Sequence, residues 1–243
     1  MCTITLLHSK DKKIITMNRD EHRSRFEANE IKKETCGQTE YYYPVDRLSL
    51  GTWFGFNNHG ITIALLNRYQ EKITEAKESR GMIIPSLLKM GSSANIQKVI
   101  NLYRFEKHQP FDLVLSDKKA TTLYSWDGDQ ISQKNHNTRR HLIKTSSSIN
   151  LDFITQHRHQ LFNQFVKKQN NINANNIFLD YHINQNKMDT SSSVFMSREH
   201  VHTKSICQVV LSNTELTYRY WSEADLQKHK NLERKPSKKI HIK

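Results

Sequence analysis

The sequence lacks a long hydrophobic run. No apolar stretch among its 243 residues approaches the roughly 18 residues that cross a membrane, and the short run at residues 3–7 is followed at once by charges, which is not the pattern of a signal peptide. Cysteine is also scarce. Cys2, Cys36 and Cys207 form an odd set without metal-ligand spacing, which excludes a disulfide framework and indicates a reducing compartment. We therefore expect a cytosolic protein without a membrane span.

The chain also lacks a nucleic-acid-binding signature, although its net charge is +13. Such a charge attracts nucleic acid or anionic membranes. The Lys and Arg residues are scattered, however, and no zinc finger or RNA-binding aromatic strand is present. A generally basic surface is the simpler interpretation. We rank nucleic acid last among the partners and expect a small-molecule ligand, with anionic groups favoured. The sequence indicates no cofactor, no metal and no particular oligomeric state.

Two short apolar runs open the chain. Residues 3–7 and 13–17 are rich in Thr, Ile and Leu and flank the polar residues 9–12, a pattern typical of a β-hairpin. A hairpin brings its two ends together. We therefore expect Cys2 to lie near Asn18-Arg19-Asp20-Glu21, so that a thiol, an arginine and two carboxylates meet at one edge of a sheet.

Removal of Met1 would make Cys2 the N-terminal residue. Met aminopeptidases generally remove Met1 when the second residue is small. The residue then carries both a thiol, with a pKa of about 8.5, and an α-amine, with a pKa of about 8, which can take the thiol proton. This is the nucleophile-plus-base arrangement of N-terminal-nucleophile enzymes. Arg19 is expected to favour the thiolate, and Asp20 to accept hydrogen bonds from the amine.

From spacing alone a simpler interpretation stays open. Cys2 can be a small buried hydrophobic residue behind a retained Met1, and the residues 18–21 can be a turn with a solvated ion pair. Short patterns match by chance often. More of the sequence is therefore needed to choose between the two interpretations.

The opening residues resemble the NRDE family. Met1-Cys-Thr, followed after one hairpin by Asn18-Arg19-Asp20-Glu21, is similar to the start of that family, which includes the transport and Golgi organisation proteins and many bacterial members. These proteins resemble N-terminal-nucleophile hydrolases and, more remotely, the choloylglycine hydrolase and penicillin V acylase group. The resemblance implies an α+β fold, a four-layer αββα sandwich of two antiparallel sheets with helices outside. Alternating hairpins and helical segments are consistent with it but do not select it.

The middle of the chain continues this resemblance. Residues 51–55, Gly-Thr-Trp-Phe-Gly, are similar to the family's Gly-Thr-Trp-x-Gly strand, and the next strand ends in Asn67. Leu50 stands where the family often has the first of two glycines. The resemblance implies that Asn67 helps to hold an oxyanion, because an amide N–H at a strand end can donate to developing negative charge. From the residues alone, a loop-capping Asn67 and a core position for Trp53 remain the alternatives.

The candidate site extends to two later stretches. In the acylase relatives the strand that corresponds to residues 141–145 ends in Thr-Asn, and the Asn supplies the other oxyanion donor. Here Ser146 takes that place, and a hydroxyl reaches less far than an amide, which puts efficient amide hydrolysis in doubt. Met196-Ser-Arg198 resembles a bacterial NRDE motif, and Arg198 is a candidate for binding an anionic group, with an exposed loop arginine as the alternative. Substrate contacts are predicted for Asn18, Trp53, Ser146 and Arg198.

The remaining segments are structural in this interpretation. Further hairpins are predicted around residues 57–60, 117–119 and 212–214, and helices over residues 82–88, 92–103 with Ser93 as N-cap, and from Ser147 or Ser148 to about Lys168. The third helix is amphipathic, with an apolar stripe at Phe153, Ile154, Leu161, Phe162 and Phe165. We expect residues 1–223 to form a single domain and residues 224–243 to be an exposed basic tail.

The leading functional hypothesis is an N-terminal-nucleophile hydrolase that cleaves a C–N amide bond. Cys2 attacks, Arg19 and Asp20 orient and polarise, and Asn67 helps to hold the oxyanion. A second hypothesis keeps the fold but assigns its pocket to binding or carrying a ligand without turnover, haem included, since Cys2 or His8 could ligate iron although no haem motif is present. A third, nucleic-acid binding through the basic surface, predicts steeply salt-dependent binding.

Overall fold

A computed structural model describes residues 1–9, 11–70, 78–137, 140–228 and 235–242. The chain divides into two compact units, one made of Met1–Arg25 with Arg139–Lys243 and the other of Phe26–Thr138. Each unit contains one antiparallel sheet. In the parts of the chain that the structure describes, no helix is long and apolar enough to cross a membrane.

Thirteen strands are described. They are β1 (Cys2–Ser9), β2 (Lys12–His22), β3 (Glu27–Cys36), β4 (Thr39–Asp46), β5 (Phe54–Asn57), β6 (Thr62–Asn67), β7 (Phe111–Ser116), β8 (Thr121–Trp126), β9 (Ile131–His136), β10 (Leu142–Ser146), β11 (Val201–Leu211), β12 (Leu216–Trp221) and β13 (Lys238–Ile242). The first unit holds the six-stranded sheet β10-β1-β2-β11-β12-β13, and the second the seven-stranded sheet β3 to β9 in chain order.

The opening hairpin is confirmed. β1 and β2 pair antiparallel with Cys2 opposite Arg19 and Ser9 opposite Lys12, and Lys10 lies outside the described residues. β1 is also a central strand, because β10 pairs with its other edge and sets Ser146 opposite Cys2. Residues 2–7 are buried, in agreement with a strand that has neighbours on both sides.

The second unit is a meander of hairpins. Gly60, with a φ of +80°, closes the predicted turn between β5 and β6, since a positive φ is easily reached only by glycine. The predicted hairpin of β7 and β8 is also present. Two helices, α1 (Ile83–Leu88) and α2 (Ser93–Leu102), pack on the sheet through Ile84, Leu87, Leu88, Ile96 and Ile100.

Two helix starts need correction. Ser92, rather than the predicted Ser93, caps α2, and its hydroxyl accepts a hydrogen bond from the N–H of Asn95. The third helix, α3 (Leu151–Lys168), begins after Asn150 instead of at Ser147 or Ser148. Asn150 has a φ of +45°, a left-handed conformation that Asn tolerates better than most residues, so the chain turns there before the helix starts.

The apolar stripe of α3 is partly different from the prediction. Ile154, Phe162 and Phe165 are buried, but Phe153 is 56% exposed. Arg158 completes the buried stripe at helical spacing. The helix thereby packs an arginine, together with two phenylalanines, into the core of the first unit.

The C-terminal residues are not simply an exposed tail. Ser222 caps a short helix (Glu223–Gln227) through a capping box with Asp225, and β13 pairs with β12 as the last strand of the first sheet. Residues 229–234 lie outside the described part. In Lys238-Lys-Ile-His-Ile, apolar and polar residues alternate as they do in a strand, although the basic composition is also that of an exposed tail. The single-domain boundary at residue 223 stays a prediction.

Leu50 carries backbone strain that glycine would relieve. Its φ is +56°, in the left-handed region, and its side chain is 70% exposed. The strain costs a non-glycine residue about 1–2 kcal/mol, whereas a glycine loses about 0.5–1 kcal/mol of chain entropy. We expect Leu50→Gly to stabilise the protein by roughly 0.5–1 kcal/mol in urea unfolding. Leu50→Ala keeps the strained φ and is the matched control; equal midpoints for the two variants would contradict the explanation.

Candidate functional site at the first residues of the chain

Cys2 lies between two strands that both contribute site residues. In the sheet register its neighbours are Arg19 on β2 and Ser146 on β10. The backbone N–H of Cys2 donates to Ser146 Oγ over 3.0 Å. Cys2 itself is 8% exposed. The hairpin thus brings Cys2 next to Arg19 as predicted, and β10 adds the hydroxyl of Ser146 beside the nitrogen that would become the α-amine.

Met1 continues the sheet beyond Cys2. Its ammonium donates to the backbone carbonyl of Asp20 at 3.0 Å, and its carbonyl accepts from the N–H of Asp20 at 2.9 Å. Its sulfur lies 3.4 Å from Ser147 Oγ and 3.0 Å from Arg198 Nη1. Met1 is only 7% exposed. Met1 therefore fills the space beside Cys2. It is held through backbone hydrogen bonds, and its thioether contacts two polar side chains.

Asp20 is a buried carboxylate with one oxygen held and one unbonded. Thr203 Oγ1 donates to Asp20 Oδ1 at 2.7 Å. Asp20 Oδ2 lies 3.7 Å from Arg158 Nη1 and has no hydrogen-bond donor among the described residues. Buried polar atoms almost always have a partner, so an unbonded carboxylate oxygen calls for an explanation.

Arg158 is completely buried beneath this site. Its Nη1 donates to Thr3 Oγ1 at 2.6 Å, while Nε and Nη2 donate to the carbonyls of Ser192 and Ser193 at 3.2 and 2.7 Å. A buried charge is costly unless it is paired and hydrogen-bonded. Arg158 meets both conditions, with Asp20 as its ion-pair partner.

Arg198 reaches the site from the segment before β11. Besides its contact with Met1, its Nε donates to the carbonyl of Ser191 at 3.1 Å. Burial, followed by repulsion from Arg158, lowers the pKa of Arg198. The segment is held by the carboxylate of Asp189. Hydrogen bonds from Ser192 and Ser191 lower the pKa of this group to about 2. The loop at residues 189–193 therefore bonds both arginines. Arg198 is half-buried beside Met1, which favours the predicted pocket position over the alternative of an exposed loop arginine.

The thiol of Cys2 is not activated while Met1 is present. Burial raises its pKa above the ordinary value of a thiol, and the negative charge of Asp20 acts in the same direction. The N-terminal ammonium, a hydrogen bond from the backbone of Asp20 and the charge of Arg19 lower the pKa but do not offset burial. At neutral pH the Met1-bearing form is consequently a thiol rather than a nucleophilic thiolate.

Arg19 is held at the edge of the site. It is 4% exposed, and its Nη2 lies 3.6 Å from Glu21 Oε2. A register shift between Thr203 and Ser205 on β11 leaves Lys204 as an extra residue opposite this part of β2. Such bulges are frequent beside functional sites because they re-aim side chains. Here the bulge allows Thr203 to bond Asp20 while Lys204 Nζ bonds Glu223 at 2.7 Å.

Asn18 is used within the protein. Its Nδ2 donates to the carbonyls of His182 and Val194, at 2.8 and 3.0 Å, and its Oδ1 lies 2.6 Å from His182 Nδ1. Burial lowers the pKa of His182 to about 3, so the ring is neutral and can donate to Asn18. The geometry favours a structural role for Asn18 over the predicted substrate contact.

Asn67 and Trp53 belong to the second unit. Asn67 ends β6, opposite Phe111, and its Nδ2 donates to the hydroxyl of Tyr69 at 3.2 Å. Trp53 is 7% exposed, and its carbonyl accepts from the N–H of Leu65. Their roles toward an oxyanion and a substrate stay predictions.

Sequence reasoning missed Arg158 and gave no role to Thr203. An arginine four residues after Ile154 and four before Phe162, on an otherwise apolar stripe, is a signal that Arg158 is buried. Thr203 follows Arg198 by five residues, but only the register of β11 against β2 shows that it meets Asp20. Among the described residues, no group of three or more His, Cys, Asp or Glu side chains is placed to hold a metal ion.

A comparison with protein families now identifies the chain's relatives. The model of the Transport and Golgi organisation 2 family matches residues 1–148, which contain Cys2, Asp20 and Ser146. The chain belongs to the Transport and Golgi organisation 2 family. No protein with a curated description matches it.

Solved structures show the same fold at low sequence identity. A variant of the conjugated bile acid hydrolase of Clostridium perfringens, in which an arginine is replaced by leucine, is 12% identical with a TM-score of 0.60, over 99% of this chain and 92% of that one. A Cys-to-Ala variant is 10% identical with a TM-score of 0.54, over 100% and 97%. A Caenorhabditis elegans orthologue of N-acylethanolamine-hydrolyzing acid amidase is 12% identical with a TM-score of 0.58, over 87% and 92%. The predicted α+β fold of the N-terminal-nucleophile hydrolase type is confirmed.

Proposed function

We propose that this protein is an N-terminal-nucleophile hydrolase that cleaves a C–N amide bond after Met1 has been removed. The observation that carries the proposal is the pairing of Met1 with Asp20. Loss of Met1 frees the N–H and the carbonyl of Asp20 and exposes the new α-amine of Cys2 beside them. Asp20 Oδ2, which has no donor among the described residues, then has an amine to accept from.

The reaction follows from these groups. The amine takes the proton of the Cys2 thiol, and the thiolate attacks the amide carbonyl carbon, forming a C–S bond. The C–N bond breaks as the amine leaving group takes a proton from the α-ammonium. Water then adds to the thioester carbon, the C–S bond breaks, and the acid is released with Cys2 regenerated. Asn67 is proposed as an oxyanion donor, and Ser146 Oγ, 3.0 Å from the Cys2 nitrogen, orients the amine.

The proposed substrate is a small molecule with an anionic group. Arg19 and Arg198 are the cations of the site, and Arg198 lies against the volume that Met1 fills. An arginine binds a carboxylate or phosphate through two parallel hydrogen bonds. The relatives named above are described as hydrolases of conjugated bile acids and N-acylethanolamines, which supports an amide bond but does not define the acyl group. We also propose a cytosolic location for the protein.

The second candidate is a ligand-binding protein without turnover. It is favoured by Ser146 in the place where the acylase relatives have an asparagine, and by the burial that raises the pKa of Cys2. This candidate does not require a free α-amine, and in the form that keeps Met1 the thiol beside the site is neutral.

The intact mass of the untagged protein separates the two candidates. We expect the mass to be lower than that of the full sequence by one methionine residue, and the processed protein to release amine from members of a panel of N-acyl amides that carry a carboxylate. Full retention of Met1 would remove the amine base and favour the ligand-binding candidate. A processed protein that binds haem with a Soret band lost in Cys2→Ala, yet hydrolyses no amide, would also favour it.

A further inference from the structure

A cavity lies on the first unit, and Cys2 is not among its lining residues. It has a volume of about 680 Å³ and is open to solvent between strands β1, β2, β11, β12 and β13 of the six-stranded sheet and the Asn-rich segment of residues 171–176. This size is typical of small-molecule sites. Neither Cys2 nor any other predicted site residue lines it, so the proposed hydrolysis leaves the cavity unexplained.

The sheet register places two cations next to each other in this cavity. Arg219 on β12 pairs directly with Lys239 on β13, and Thr217 pairs with His241 in the adjacent row. Side chains of residues i and i+2 share a face of a strand, so all four belong to the same face. All four line the cavity. Like charges directly opposite in a sheet are destabilising, so a neighbouring Arg–Lys pair needs a reason.

No carboxylate in the described part of the chain forms an ion pair with these cations. Arg219 Nη1 donates to Asn175 Oδ1 and Gln208 Oε1, at 3.0 and 3.2 Å, and its Nε and Nη2 have no acceptor among the described residues. Lys239 and Lys12, which also line the cavity, make no ion pair within the described ranges. Three cationic side chains thus line one cavity, and none of them has an ion-pair partner among the described residues.

Two carboxylates and a patch of apolar surface complete the lining. Asp11 and Glu215 line the cavity but form no ion pair with its cations among the described residues. Ile14 and Val210 supply apolar surface from β2 and β11. The cationic side chains are therefore spread along the cavity, with Arg219 and Lys239 adjacent on β12 and β13 and Lys12 on β2 beside Ile14.

We propose that this cavity binds a phosphate-bearing small molecule. The guanidinium of Arg219 presents its free edge to two phosphate oxygens, and the neighbouring Lys239 adds a point charge, while Lys12 adds positive charge from β2. The apolar surface of Ile14 and Val210 is available to the rest of the ligand. The Asn-rich segment contributes through Asn175, which fixes the Arg219 guanidinium from above the sheet.

Titration of the full-length protein with pyrophosphate tests the site. We expect saturable binding of one pyrophosphate per chain by calorimetry, at constant ionic strength set with sodium chloride. Lys239→Gln and Arg219→Gln should each weaken binding by about tenfold or more, because each removes a charge-assisted contact. Lys238→Gln is the matched control. It removes the same charge from the neighbouring residue, whose side chain lies on the other face of β13. It should change the affinity by less than about twofold.

The unliganded variants give a second signature. Lys239→Gln removes a like-charge neighbour, so its melting temperature without pyrophosphate should be equal to or above that of the parent, while the rise produced by pyrophosphate is lost. Lys239 is exposed, so this variant tests the site even if Arg219→Gln proves unstable. Absence of saturable binding by the parent, or equal weakening by Lys238→Gln and Lys239→Gln, would overturn the proposal and leave only diffuse attraction to a basic surface.

Discussion

Replacing Arg158 by methionine is expected to destabilise the protein by about 3–5 kcal/mol, the usual cost of removing one partner of a buried ion pair. Methionine fills a similar volume but leaves Asp20 without its cation and the carbonyls of Ser192 and Ser193 without donors. Equilibrium unfolding in urea measures the loss. The loop at residues 189–193 is bonded by Arg158 and also by Arg198. Loss of Arg158 should therefore loosen the site together with the fold.

A double-mutant cycle separates the ion pair from simple packing. Asp20→Asn in the Arg158→Met background removes the uncompensated charge, so the double variant should recover part of the lost stability. Arg104→Met, at an exposed position, is the control and should change stability by less than about 0.5 kcal/mol. A loss for Arg158→Met as small as that of Arg104→Met would show that the pair with Asp20 contributes little.

The N-terminal part of the site could be predicted from the sequence because it is local. A short hairpin fixes which residues face each other, so the proximity of Cys2 and Arg19 follows from two apolar runs and a polar turn. Ser146 and Arg198 came from motifs instead of geometry. Their contacts with Cys2 and Met1 depend on pairing over more than 140 residues, which periodicity does not encode.

The parts that sequence reasoning missed share a physical cause. Arg158 is a charged residue in a position where composition favours an apolar one, and only its four polar partners from three separate segments make that burial tolerable. β13 was hidden by its lysines, since an edge strand with exposed basic residues has the composition of a tail. In both cases tertiary context overrides what the local composition favours.

Cys2→Ala is expected to remove all acyl transfer to the protein. With an activated ester such as p-nitrophenyl acetate, the processed parent should release a rapid burst of p-nitrophenolate as Cys2 is acetylated, and a tryptic peptide should carry the acetyl group at that residue. Removing a catalytic nucleophile costs on the order of 10⁴-fold or more in rate. The alanine variant should therefore show no burst and only the slow background release.

The other two cysteines provide the controls for that experiment. Cys207 is completely buried, whereas Cys36 is exposed and could be acetylated without any site around it. Cys36→Ser should keep the burst, and a protein that retains Met1 should lose it, because burial raises the pKa of the Cys2 thiol and the base is tied up in a peptide bond. A burst that survives in Cys2→Ala but disappears in Cys36→Ser would mean that the exposed thiol, rather than the N-terminal residue, is the reactive one, and the hydrolase proposal would fail at its first step.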